Sequence, residues 1–67
     1  MNNRELAEHY YKKYYSLGYS RISVLDLFFH GELTTPAGDK LPRWFDAEHL
    51  EPVLDIMDEI LLGGPQS

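Results

Sequence analysis

The chain has 67 residues, no cysteine and a formal net charge of −5 at pH 7. A domain of this length buries only about 60% of the surface that its unfolded chain exposes, so we expect a single domain with a marginal core. The lack of cysteine excludes disulfides, zinc–thiolate sites and cysteine nucleophiles, and there is neither a signal peptide nor an apolar run of about 18 residues, the length that spans a bilayer, so we expect a cytoplasmic protein.

Negative charge is concentrated in the C-terminal third of the chain. Residues 46–67 contain six carboxylates and neither Lys nor Arg, whereas residues 1–45 contain five carboxylates and six Lys or Arg side chains. Because the summed field of a protein steers its encounters, this asymmetry favours a cationic macromolecular partner. It disfavours docking on a membrane, since anionic lipids repel such a surface.

Apolar side chains at helical spacing predict a first helix over about residues 3–17. One face carries Leu6, Tyr10, Tyr14 and Leu17. Gly18 is the expected stop signal. Tyr11 and Tyr15 lie at the border of this face, where a tyrosine can bury its ring and keep its hydroxyl in water. Two interpretations stay open for these tyrosines: packing at the rim of the core, or an aromatic surface that anchors a partner.

A second helix is predicted over residues 23–30, because Ser23 is a good N-cap and Gly31 a good stop. Its apolar side chains cover more than half of the circumference: Val24, Leu25, Leu27, Phe28 and Phe29. A surface helix needs only one apolar stripe. This helix is therefore either the buried centre of the fold, or it presents Leu27 or Phe29 to something outside the monomer.

About residues 32–44 are predicted to form a small β-hairpin or an irregular wing. Residues 33–35 have strand character, and the stretch Pro36-Ala37-Gly38-Asp39 that follows has turn chemistry. Pro42 has no amide hydrogen to donate, so we expect any strand pairing to be short.

The third helix is predicted over about residues 46–62, with Asp46 as its N-cap. An apolar stripe runs along it: Leu50, Val53, Leu54, Met57, Ile60 and Leu61. The opposite side carries Glu48, Glu51, Asp55, Asp58 and Glu59. Pro52 removes one helical hydrogen bond, which predicts either a kink or a helix that starts at Pro52. Residues 63–67 are predicted to be a flexible tail.

The carboxylates of this third helix have two open interpretations. A charged helix face often serves only to keep a protein soluble. Asp58 and Glu59, however, lie near the C-terminal end, where the helix dipole disfavours each negative charge by about 0.3 to 1 kcal/mol. Departures from local rules are expected at functional sites, which favours contact with a basic partner.

The sequence contains few features of an enzyme or of a metal protein. Neither a Gly-rich phosphate loop nor a Gly-x-Ser-x-Gly elbow occurs. Glu5 and His9 stand at the i, i+4 spacing of metal ligands, but two ligands do not make a site, and a surface pair is the commoner outcome. We therefore expect no enzyme activity, no cofactor and no metal.

Three short motifs lie between Ser23 and Ile56. They are the step Gly31-Glu32-Leu33, the turn around Gly38, and Arg43-Trp44-Phe45-Asp46 followed by Leu50, Val53 and Leu54. Together with the order of helices, they resemble the winged helix-turn-helix of phage excisionases and MerR-type regulators. The resemblance implies a DNA-binding transcriptional regulator, with DNA contacts expected from Arg21, Ser23, Lys40 and Arg43.

Two functional hypotheses follow. The first is a non-enzymatic acidic regulatory or inhibitory protein of bacterial or phage type, which binds a basic surface and in its strongest form mimics nucleic acid in a nucleic-acid-handling complex. Its expected contact residues are Glu48, Glu51, Asp55, Asp58, Glu59, Tyr11, Tyr15, Phe29 and Trp44. We favour it over DNA binding, because residues 23–30 contain no Lys or Arg and the net charge repels DNA. A homodimer is compatible with either hypothesis.

Overall fold

Three α-helices build the fold of the computed structural model, which describes residues 2–63. They are α1 (Asn3–Lys13), α2 (Arg21–Phe29) and α3 (Ala47–Leu61), and a 3-10 turn (Tyr15–Leu17) follows α1. No β-strand occurs within the described range, so the fold there is small and all-α. Of the tail predicted at residues 63–67, only Gly63 lies inside that range.

Helix α1 begins as predicted and ends earlier than predicted. The side chain of Asn2 caps it by accepting a hydrogen bond from the amide of Glu5 at 2.7 Å. The α-helix ends at Lys13, and the chain tightens into the 3-10 turn before Gly18, whose φ of 99° ends the turn where a stop was predicted. Because the tighter turn rotates the side chains that follow, Leu17 leaves the apolar face and is 73% exposed.

The N-cap of α2 is Ser20, not Ser23 as predicted. The amide of Ser23 donates to Oγ of Ser20 at 3.2 Å, which places Ser23 inside the first turn of the helix. Both serines can cap a helix, and the earlier start includes Arg21 in the helix, with its guanidinium 2.7 Å from the carboxylate of Asp58 on α3. Ile22 therefore lies within the helix, where it is 77% exposed.

Helix α2 packs at the edge of the fold and is not its buried centre. Val24 is the fully buried residue of the helix, whereas Leu25, Leu27 and Phe28 are half-buried. Phe29 is 66% exposed. Of the two residues expected to meet something outside the monomer, Phe29 is therefore the one that faces outward.

The segment between α2 and α3 is an irregular loop, and the prediction of a β-hairpin is wrong for it. One isolated antiparallel bridge joins Thr34 and Lys40. A ladder does not extend from this bridge, since Pro42 has no amide hydrogen to continue it. The loop is instead fastened to α1, because the hydroxyl of Tyr10 donates to the carbonyl oxygen of Thr34 at 2.7 Å.

Helix α3 is continuous through Pro52 and does not start there. Asp46 caps it as predicted, since its carboxylate accepts from the amide of His49 at 3.2 Å. The first part of the predicted apolar stripe is buried: Leu50, Val53, Leu54 and Met57. Ile60 is half-buried and Leu61 is exposed, so the stripe leaves the core in the last turn.

The hydrophobic core lies mainly between α1 and α3, which make the most extensive helix contact. Its buried members from these helices and from the loop include Leu6, Ala7, Tyr10, Leu33, Phe45, Leu50, Val53 and Met57. Helix α2 contacts α3 less extensively. One side of α2 therefore stays open, directly beside the acidic side of α3.

Candidate functional site

The carboxylates of α3 form one acidic face. We use this name for Glu48, Glu51, Asp55, Asp58 and Glu59. Since an α-helix turns by about 100° per residue, these five positions fall within about 100° of the circumference. Four of them are exposed, and Asp58 is half-buried at the edge that faces α2. The structure thus brings the predicted acidic residues together on one surface.

Arg21 binds two carboxylates of the acidic face. Its Nη1 donates to Oδ1 of Asp55 at 3.0 Å and to Oδ2 of Asp58 at 2.7 Å. The hydroxyl of Tyr15 donates to the other oxygen of Asp58 at 2.7 Å. These contacts raise the pKa of Arg21, chiefly through its hydrogen bond with Asp58. Asp58 therefore joins α3 both to α2 and to the 3-10 turn.

The rest of the acidic face has no cationic partner within residues 2–63. Glu48, Glu51 and Glu59 are exposed and form no ion pair there. Their charge is not compensated locally, so it contributes to the field that an approaching molecule meets. These three glutamates are the part of the acidic face that is free to bind a partner.

A groove between α2 and α3 adjoins the acidic face. It is lined by Arg21, Leu25, Phe29, Ala47, Glu51 and Leu54. Its lining is mostly apolar, and its volume of about 190 Å³ is comparable to that of one or two side chains. We call it the α2–α3 groove. Because Glu51 belongs both to its wall and to the acidic face, the apolar and acidic surfaces are continuous.

The aromatic residues predicted to anchor a partner lie in different environments. Phe29 lines the α2–α3 groove and is exposed. Trp44 is 62% exposed, and its ring meets the ring of His49 edge-on at 5.3 Å. Tyr11 is half-buried and lines a separate cleft with Ile60. Of these residues, Phe29 is the one that the structure places beside the carboxylates.

Tyr15, also predicted to contact a partner, is buried. It is 6% exposed, and its ring packs against the ring of Tyr11 at 5.9 Å between centroids. Burial raises the pKa of Tyr15, and its hydrogen bond to Asp58 adds to this effect. The predicted border position therefore became a core position, because the 3-10 turn rotates Tyr15 toward α3.

The histidines have local roles. Nδ1 of His49 lies 2.7 Å from the carboxylate of Asp46, and this hydrogen bond lowers the pKa of Asp46. His30 caps the C-terminal end of α2, with Nδ1 2.8 Å from the carbonyl oxygen of Asp26. His9 has a buried Nε2 without a hydrogen-bond partner in the described structure, and burial lowers its pKa. No three side chains of metal-binding type come together within residues 2–63.

The residues expected to touch DNA lie in two places. Lys40 and Arg43 line a cleft of about 300 Å³, a size at the lower end of small-molecule sites. The other lining residues are Phe28, Gly31, Leu33, Leu41, Pro42 and Phe45. Arg21 lines the α2–α3 groove instead, where the carboxylates of α3 hold it. Ser23 lies in the first turn of α2.

The contact of Arg21 with Asp55 and Asp58 was not predicted from the sequence. These residues are separated by 34 and 37 positions, so no local spacing rule connects them. The one available signal was the negative charge of Asp58 near the C-terminal end of α3, which calls for a compensating donor. That charge by itself predicts a binding surface, and nothing local in the sequence identifies Tyr15 and Arg21 as its donors.

Comparisons of the chain with protein-family models, with curated proteins and with solved structures give no match. Within residues 2–63, no helix has both the length and the apolar character needed to cross a membrane.

Proposed function

We propose that this protein is a non-enzymatic binding protein whose acidic face engages a basic surface of a macromolecular partner. The observation that carries the proposal is the set of exposed glutamates without a cationic partner in the described structure: Glu48, Glu51 and Glu59. They occupy one side of a helix whose opposite side is buried in the core. A fixed array of like charges attracts a complementary surface from solution.

The apolar surface beside these charges supports retention of the partner after encounter. Complementary charge mainly accelerates association, whereas buried apolar and aromatic anchors slow dissociation. Phe29 lies in the α2–α3 groove, next to Glu51. The two surfaces thus supply both parts of a specific interface.

Occlusion is the mechanism that this arrangement supports. A chain of 67 residues that covers a cationic surface blocks whatever else that surface binds. In the strongest form of the proposal the blocked surface belongs to a nucleic-acid-handling protein, and the carboxylates take the place of phosphates. From Glu48 to Glu59 they extend over about 16 Å of helix, at 1.5 Å per residue.

The proposal is tested by affinity capture with two variants that lose the same number of negative charges at different positions. The site variant is Glu48→Gln, Glu51→Gln and Glu59→Gln, and the matched control is Glu5→Gln, Glu32→Gln and Asp39→Asn. Each removes three negative charges from a chain of net charge −5. Asp55 and Asp58 are kept, since their loss would also remove the ion pairs that hold α2.

At low salt, wild type and control should retain the same basic protein, and the site variant should lose it. A high-salt wash should release it from the wild type, because salt screens exposed charges. Equal retention of that protein by the site variant and the control would show that the location of the acidic residues is irrelevant, and would reject the proposal.

The cleft lined by Lys40 and Arg43 favours a second candidate function, DNA binding. No carboxylate is among its lining residues, so its field is locally positive. The winged helix-turn-helix resemblance remains a prediction in this context. A gel shift at low salt that Lys40→Ala and Arg43→Ala abolish would support DNA binding, and the absence of any shift would reject it.

A further inference from the structure

We infer that the partner presents a basic amphipathic helix, which inserts an apolar side chain into the α2–α3 groove and places Lys or Arg on Glu48 and Glu51. This inference rests on the proposed function and specifies the partner. The observation that carries it is the continuity of an apolar groove with a row of carboxylates that lack cationic partners in the described structure.

The walls of the groove are two helices whose exposed residues repeat with helical period. On α2, Ile22, Leu25 and Phe29 follow one another at i, i+3 and i+7. Leu25 and Phe29 line the groove, and Ile22 lies one turn before Leu25 on the same side of α2. Ile22 and Phe29 are exposed and Leu25 is half-buried against the core, so part of this stripe is apolar surface that the described residues leave uncovered. A helix that is laid into an apolar groove presents its own anchors at i, i+3, i+4 and i+7, and one such anchor is expected to contact Phe29.

The carboxylates next to the other wall have a matching period, and Glu51 is the one that lines the groove itself. Glu48, Glu51 and Asp55 stand at i, i+3 and i+7 and line one shallow surface together with Pro52. They span about 10 Å along α3, which corresponds to about two helical turns. Because Asp55 is already paired with Arg21, a partner helix with cations one turn apart meets Glu48 and Glu51 while its apolar stripe faces Phe29.

Charge and the lack of a β-sheet edge disfavour other occupants of this groove. Nucleic acid and anionic lipid surfaces are repelled by the acidic wall. A second copy of this chain would bring its own acidic face against the first, and like charges across an interface are unfavourable. An extended peptide has no sheet edge to join, because the described residues form only the isolated bridge between Thr34 and Lys40.

The experiment uses a defined peptide probe on the full chain. The probe is a fluorescent helical peptide of leucine and lysine, about 18 residues or five turns long, with its leucines on one face. A second peptide of the same composition has its leucines spread around the helix. Binding is followed by fluorescence anisotropy at low salt, and we expect the amphipathic peptide to bind at least about tenfold more tightly.

Two variants of the groove test the apolar contact. Phe29→Ala removes the exposed ring, and Ala47→Leu fills the groove from the opposite wall. Both substitutions should weaken the binding of the amphipathic peptide by about tenfold and leave the binding of the second peptide unchanged. Leu17→Ala is the matched control, because Leu17 is as exposed as Phe29 and is absent from the groove lining. Circular dichroism checks that each variant folds.

A charge variant separates the inference from the proposed function. Glu48→Gln with Glu51→Gln should weaken the binding of both peptides and make that binding less dependent on the salt concentration. If this variant weakens binding while Phe29→Ala and Ala47→Leu do not, the helix-in-groove inference is wrong and the proposed function stands. If this charge variant leaves binding unchanged, the proposed role of the acidic face fails, and the inference fails with it.

Discussion

At the scale of residues, the side chain of Asp58 connects three elements of the fold. It accepts hydrogen bonds from the hydroxyl of Tyr15 and from the guanidinium of Arg21, both at 2.7 Å. Hydrogen bonds to a charged acceptor are stronger than neutral ones, which offsets the unfavourable position of this charge near the C-terminal end of α3. Asp58 thus has a structural role within the acidic face, whereas Glu48 and Glu51 remain available.

Tyr15→Phe should lower the free energy of unfolding by about 1 kcal/mol, since it deletes the hydrogen bond to Asp58 and keeps the buried ring. Urea unfolding followed by circular dichroism measures the change. Tyr11→Phe is the control, because the hydroxyl of Tyr11 has no hydrogen bond within residues 2–63. Equal effects of the two substitutions would contradict a specific role for the Tyr15 hydroxyl.

His9 should make the protein less stable in mild acid. Burial, together with the nearby charge of Lys13, lowers the pKa of His9 in the folded chain below its ordinary value of 6.5. As the pH falls through 6.5 the unfolded chain therefore takes up a proton before the folded chain does, and stability is lost. His9→Phe removes this titration, so its unfolding free energy should fall less than that of the wild type between about pH 7.5 and pH 5.

Substitution of His30 should change the pH dependence of stability in the opposite direction to substitution of His9. Its hydrogen bond to the carbonyl oxygen of Asp26 raises the pKa of His30 in the folded chain. His30 therefore stabilises the fold at a pH below its ordinary pKa, and this stabilisation is lost as the pH rises through the pKa of the folded chain. His30→Gln should therefore make the protein more sensitive to acid, opposite to His9→Phe. The same direction of change in both variants would refute the assignment for His9.

At the scale of elements, helix caps decide where α2 and α3 begin. Asp46 was recognised as a cap because it is the one capping residue immediately before α3. For α2 the predicted cap is Ser23, whereas the structure has Ser20 as the cap. Starting the helix there places Arg21 opposite Asp58. This contact is long-range, so the local sequence pattern does not predict it.

Ser20→Ala should destabilise the protein by about 1 kcal/mol, the typical cost of losing an N-cap side chain. Ser23→Ala should cost less, because the one side-chain hydrogen bond of Ser23 within residues 2–63 is with the hydroxyl of Ser20, at 3.1 Å. Thermal unfolding of both variants compares the two positions. A larger loss for Ser23→Ala would instead place the N-cap at Ser23.

The elements that sequence predicted best are those with long helical periodicity. The core side of α3 and most of α1 follow directly from the spacing of Leu50, Val53, Leu6 and Tyr10. Strand and turn propensities predict the hairpin, and a tertiary contact overrides them: the hydroxyl of Tyr10 donates to the carbonyl oxygen of Thr34. The limit that Pro42 sets on pairing is local and follows from the sequence.

At the scale of the whole molecule, the chain is electrically two-sided, and the candidate site was only partly predictable. The acidic face follows from composition and helical period alone. Its division into paired and unpaired carboxylates depends on Arg21, and the α2–α3 groove depends on how α2 packs. The pairing of carboxylates with Arg21 and the α2–α3 groove both depend on tertiary packing, which the sequence pattern does not show. The sequence thus predicts a cationic partner, and the structure adds an apolar groove beside the acidic face.

The most direct test of the central claim is the salt dependence of binding to the basic protein that the wild-type chain captures. The dissociation constant is measured by calorimetry over a series of salt concentrations for the wild type, the Glu48/Glu51/Glu59→Gln variant and the Glu5/Glu32→Gln, Asp39→Asn control. We predict weaker binding and a shallower salt dependence for the first variant alone. The same affinity and the same salt dependence for both variants would contradict the acidic face as the binding surface.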